Sequence, residues 1–186
     1  IFLFALAVRA VAASAVQFPR PEDTAYYVGV ARNLVEGRGM ISDALWSYGT
    51  PPLVFPRPAF EVWLPLPSLL FAIPIAISGA AAPIPLETAL RASQAVTAIL
   101  GAALCVLAWR LAADVAEERG LEPARARTLA IGTGLTTAVY LPLLLHAVQP
   151  HSTIVFGVLA VGACLLMTRV LRDPRGARLL DPRLLA

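Results

Sequence analysis

The sequence predicts an all-α fold: a polytopic bundle of transmembrane helices, with amphipathic helices in a large first outer loop. Three observations predict it. The 186 residues are 58% apolar and 15% charged, with a mean hydropathy of +0.72, against about 45–50% apolar and about 25% charged in a soluble domain. Three apolar runs reach the length of about 20 residues that a helix needs to cross a hydrocarbon core about 30 Å thick. All fifteen basic residues are Arg. They gather beside those runs and form no single basic face, so the net charge of +3 reflects composition and topology and gives no ground for nucleic-acid binding.

Residues 1–17 are expected to be a truncated first membrane helix. A signal peptide is the other reading, but Arg9 interrupts the apolar stretch that such a peptide needs. Residues 18–88 form the outer loop. Spans are expected over 89–112, 129–148 and 151–168, where Gly101, Ala102, Gly132, Gly134, Gly157 and Gly162 let helices approach closely. These spans hold only Arg91, Arg110 and His146 near their ends, with Pro142 late in the middle one, so the bundle interior is expected to be dry. Cys105 and Cys164 sit inside apolar runs and act as small hydrophobes.

The segment 63–80 is apolar enough to span, yet it contains Pro65, Pro67 and Pro74, each of which removes a helix hydrogen bond when interior. Topology decides its place. Arg110, Arg119, Arg125 and Arg127 flank one loop, and Arg169, Arg172, Arg175, Arg178 and Arg183 fill the tail 169–186. Basic stretches near helix ends stay in the cytoplasm. Both fall inside only if 63–80 does not cross. It is therefore expected to be a proline-broken helix at the outer interface, anchored by Trp63. The whole is expected to be a multi-pass integral protein of the cell membrane.

Within the outer loop, residues 22–36 have the spacing of a short amphipathic helix, with Tyr26, Val30, Leu34 and Val35 on one side and Arg32, Asn33 and Glu36 on the other. Glu22 and Asp23 fall at its positive end. Gly37 and Gly39 stop it. The stretch 50–60 is too rich in proline for regular structure and is expected to be an extended connector.

The adjacent carboxylates of Glu22 and Asp23 admit two readings: helix capping, or a general base facing a membrane-bound substrate. Arg57 likewise either meets lipid headgroups or clamps a phosphate, since a guanidinium matches phosphate oxygens in pairs. His151, at an outer helix end, either caps that turn or contacts a polar ligand.

The order of these features resembles the N-terminal part of the GT-C glycosyltransferases. A first membrane helix is followed by the acidic pair and tyrosines of PEDTAYY, then LVEGRG, then FPRP and Trp63. The nearest likeness is to the protein mannosyltransferase and aminoarabinose transferase group. Motif detail is confined to residues 21–39 and 55–63. The resemblance implies an inverting transfer of a sugar from a polyprenyl-phosphate donor to a lipid, glycan or protein acceptor. It implies Asp23 or Glu22 as the catalytic acid, and substrate contacts from Arg57, Tyr26, Tyr27, Trp63 and His151. Arg57 stands where aminoarabinose transferases have a Lys that meets the lipid phosphate. Pro56 stands where some of them have a metal-binding Glu, so no metal ligand is assigned and a divalent metal stays only an option. The competing classes are a transporter or flippase, which calls for broken or polar spans, and a non-catalytic membrane assembly protein.

Overall fold

The computed structural model describes residues 1–20, 22–44, 56–61 and 63–172, apart from the side chain of Glu22. Among the described residues the regular structure is helical except for one two-stranded antiparallel pairing. Two helices, α4 (Leu86–Glu118) and α7 (Ser152–Arg172), are long and apolar enough to cross a membrane. The pair α5 (Pro123–Val139) and α6 (Leu141–Val148) makes a third candidate if the two, bent by 50°, count as one span. The remaining helices are α1 (Phe2–Ser14), α2 (Glu22–Val35) and α3 (Pro65–Ile77).

The bundle alternates in direction. α4 and α7 run the same way: the space over Gly157 is filled by Leu104, and Arg172 reaches the Asp114 carbonyl. α5 and α1 run the opposite way, with Ile1 and Trp109 against Gly134 and Arg91 donating to the Ala13 carbonyl. The end carrying α2 and α3 is called the upper end here. At the lower end, Arg110 and Arg169 flank Asp114 at 3.1 and 3.6 Å, while Arg172 meets Glu118 at 2.9 Å.

Local chemistry sets the ends of the long elements. α4 stops at Gly120, whose φ of +65° favours a residue without a side chain. α5 begins where Glu122 accepts from the Ala124 and Arg125 amides at 3.0 and 3.3 Å, with Pro123 in the first turn, where its missing N–H costs nothing. The buried positions of α5 are all small, Ala130, Gly134 and Ala138, and of these Gly134 is the one expected from the sequence. Gly132 and Gly162 face open space, so close packing is not their role among the described residues.

The structure differs from the sequence reading in four places. First, the 129–148 span breaks at Tyr140, because Pro142 has no N–H to give the carbonyl four residues back. Second, the interior is not dry. Arg9, Ser93, Gln94 and Thr97 are buried, and Gln94 and Thr97 donate to the Val148 and Ala147 carbonyls at 2.8 and 2.5 Å. Cys105, read as a small hydrophobe, also accepts from Arg9 at 3.4 Å. Third, the 63–80 segment is not broken by its prolines. Pro65 and Pro67 occupy the first turn of α3, and only Pro74 lies inside the helix. At 1.5 Å per residue its 13 residues extend about 20 Å, short of a membrane core about 30 Å thick. Fourth, the proline-rich connector contributes a strand. β2 (Arg57–Pro58) pairs with β1 (Ile41–Ser42), while 50–55 lie outside the described residues.

α2 is enclosed on more than its apolar side. Tyr26, Tyr27, Val28, Val30 and Ala31 form one cluster with Phe71, Ala72 and Ile75 of α3 and Ala89 of α4. Asn33, expected on the polar face, is fully buried. It donates to the Ile41 carbonyl and to Asp43, both at 3.0 Å, and accepts from Arg38 at 2.7 Å. Its amide satisfies both sides of the turn that Gly37 and Gly39, at φ +75° and +84°, make possible.

Candidate active site

The site forms at the upper end, where three segments distant in sequence meet on Asp23. α2 presents Asp23 from its first turn. Trp63 Nε1 donates to Asp23 Oδ1 at 3.1 Å, and His151 Nε2 lies 3.0 Å from Asp23 Oδ2. Each carboxylate oxygen thus has one partner and keeps a further lone-pair position. The Asp23 side chain is 33% exposed and that of His151 14%, so the acid is sheltered yet reachable.

His151 is held from behind. Its Nδ1 accepts the Thr153 backbone N–H at 3.2 Å, with the Thr153 hydroxyl at 2.8 Å. A backbone N–H can only donate, so in the neutral ring Nδ1 carries the lone pair and Nε2 carries the proton. His151 is therefore a donor to Asp23, with no free basic nitrogen to offer a substrate. Capping and site contact, the two readings of His151, are one arrangement: the ring caps α7 through one nitrogen and holds Asp23 through the other. The turn before it is fixed by Gln149, which accepts the Arg20 amide at 2.8 Å and donates to the Phe18 carbonyl at 3.2 Å. His146 packs against His151 with ring centroids 4.6 Å apart and the rings tilted by 43°.

Trp63 is aimed by a turn at Phe60, whose φ of +71° is an outlier for a bulky residue and costs on the order of 1–3 kcal/mol. The Phe60 N–H donates to Tyr26 Oη at 2.6 Å, and the Ala59 N–H donates to the Met40 carbonyl at 2.8 Å. The Trp63 ring then lies over Tyr26 at 4.5 Å, tilted by 31°. Tyr27 meets Tyr26 edge-on at 5.6 Å and His151 at 6.3 Å. Burial pushes both tyrosine hydroxyls above their ordinary pKa.

Of the residues singled out in the sequence, Asp23, Tyr26, Tyr27, Trp63 and His151 come together. Arg57 sits on β2, paired with Glu61 at 2.8 Å, and Glu61 was not anticipated although its i+4 spacing was visible. Glu22 starts α2, but its side chain lies outside the described residues. Thr153 was missed as a support although it lies two residues from His151, and Gln149 was missed because nothing near it in sequence indicates contact with residues about 130 positions earlier. Among the described residues no three His, Cys, Asp or Glu side chains gather to hold a metal ion. Comparison with protein-family models, curated proteins and solved structures finds no match to this chain.

Proposed function

We propose that the chain is part of a multi-pass membrane transferase whose working surface is the upper end, on the outer side of the cell membrane. More particularly, it is read as the N-terminal part of a GT-C glycosyltransferase that takes a sugar from a polyprenyl-phosphate donor. The observation that carries this reading is the Asp23 carboxylate, a third exposed and held by donors from Trp63 and His151. An acid buttressed on both oxygens from two distant segments is more than a helix cap needs.

In the proposed reaction, Asp23 accepts the proton of an acceptor O–H or N–H as the heteroatom forms its bond to the anomeric carbon. The bond from that carbon to the phosphate oxygen breaks, and the electron pair leaves with polyprenyl phosphate. The proton on Asp23 then passes to water. Preorganised donors at developing charge are usually a large catalytic contribution, and Arg57 is the candidate on this chain for the departing phosphate. Glu61 competes for Arg57 in the resting protein and also holds its guanidinium in place.

A second reading, a transporter or flippase, is favoured by one observation: the span that breaks at Tyr140 beside the buried Arg9. One experiment separates the two. The full-length protein in vesicles is given polyprenyl-phosphate-linked sugars and candidate acceptors, with wild type and Asp23→Asn compared. Transfer by the wild type that falls by about 100-fold or more in the folded variant, the usual weight of a lost general base, supports the transferase. Unchanged transfer by Asp23→Asn, or movement of the lipid-linked sugar across the membrane without transfer, rejects it.

A further inference from the structure

Arg9 heads the large side chains that the structure encloses completely, and the proposed chemistry does not use it. Its guanidinium is always charged. Its partners among the described residues are all neutral: the Ala5 carbonyl at 3.0 Å, the Ala138 carbonyl at 3.3 Å and the Cys105 sulfur at 3.4 Å. Its Nε has no hydrogen-bond partner. An apolar residue would fill the same space without the cost of burying a charge.

The Ala138 carbonyl is the one that Pro142 leaves without its helical donor, four residues back along the chain. Arg9 supplies that donor from α1. Gly101 makes room for it: a Cβ there would collide with Arg9 Nε. Beyond the break, α6 has eight residues, too few to be stable as an isolated helix, so its direction is set by what holds its ends. Gln94 and Thr97 hold the upper end, and Arg9 holds the break. His151 follows α6 by three residues.

We infer that Arg9 is a positioning residue: by satisfying the carbonyl exposed at the α5–α6 break, it sets the direction of α6 and so holds His151 against Asp23. This rests on the Asp23–His151 pair being the working site.

The test is the rate at which diethyl pyrocarbonate modifies His151 in the purified full-length protein, read by peptide mass spectrometry. Both ring nitrogens are engaged, so the wild-type rate is slow. The reagent attacks the unprotonated nitrogen, which is Nδ1; Asp23→Ala releases the ring on its Nε2 side, lets Nδ1 swing away from Thr153 and raises the rate. Arg9→Met is expected to raise it about fivefold, the population shift that follows loss of an ordinary hydrogen bond. Arg172→Gln, which removes one of the α4–α7 ties at the far end, is expected to leave it unchanged. If Arg9→Met does not fold, Gly101→Ala decides, since the added methyl displaces the guanidinium without removing it.

Wild-type rates in folded Arg9→Met and Gly101→Ala, with Asp23→Ala raised, overturn the role of Arg9 while leaving the site intact. An equal rise in Arg172→Gln also overturns it, because general loosening then explains the effect. No rise in Asp23→Ala means that His151 does not depend on Asp23, and the reading of the site itself fails.

Discussion

At the scale of single residues, the upper end is governed by carboxylates whose partners differ in kind. Asp43 is hydrogen-bonded by Arg38 at 2.7 and 3.0 Å and by Asn33, and Arg38 above all holds its carboxyl below the ordinary range. The sign follows. A depressed folded pKa stabilises the turn above the unfolded value of about 3.9 and loses that contribution as pH falls through the lower folded value. Amide protection factors at residues 37–43, which divide out the intrinsic pH dependence of exchange, are therefore expected to fall below about pH 4, modestly, since exposed pairs contribute little. Asp43→Asn is expected to show no such step. Glu61→Gln removes one carboxylate that competes for Arg57. Donor KM is expected to fall severalfold with little change in kcat if the phosphate meets that arginine, and an unchanged KM counts against Arg57 as the phosphate contact. The tyrosine pair and the acidic pair were legible because they sit within one helix. That His151 donates to Asp23 was not, because the two are 128 positions apart and no local pattern encodes such a contact.

Among the elements, glycine separates seam from open face on a single helix. A Cβ on Gly134 would meet Ile1 Cδ1 at 2.8 Å and Trp109 Cβ at 3.0 Å, whereas one on Gly132 meets nothing within 4 Å. Gly134→Ala is expected to destabilise by about 1–3 kcal/mol through overpacking. Gly132→Ala is expected to stabilise by up to about 1 kcal/mol through helix propensity alone. Thermal unfolding in detergent checks both, and equal effects would show that α5 packs elsewhere. The positions of the long helices were readable from hydropathy, since apolar length is a direct physical requirement. The break at Tyr140 was half readable: Pro142 announced it, but its meaning depended on donors from α1 and α4. The burial of Asn33 was hidden because a polar residue at a polar register looks solvated until the turn that it satisfies is seen. α3 survived its prolines because two of the three occupy a first turn, where no helical N–H is missed.

For the molecule as a whole, the two ends differ in chemistry. The lower end carries Arg110, Arg169 and Arg172 around Asp114 and Glu118; the upper end carries the aromatic cluster and Asp23. Single cysteines at Met40, which is 53% exposed, and at the exposed Arg119 probe the two ends in a Cys105→Ala, Cys164→Ala background. Labelling of position 40 but not 119 in intact cells by an impermeant thiol reagent is expected. The reverse pattern would put Asp23 in the cytoplasm and end the lipid-linked donor reading. The pairing of Asp23 with His151 also sets a schedule for biogenesis. α2 emerges from the ribosome long before residue 151 exists, and at about 5–20 residues per second the intervening chain takes roughly 6–25 s to make. Through that interval Trp63 is the first of the acid's two partners to be synthesised, so a chain stalled before α7 displays the carboxylate that the finished protein shelters.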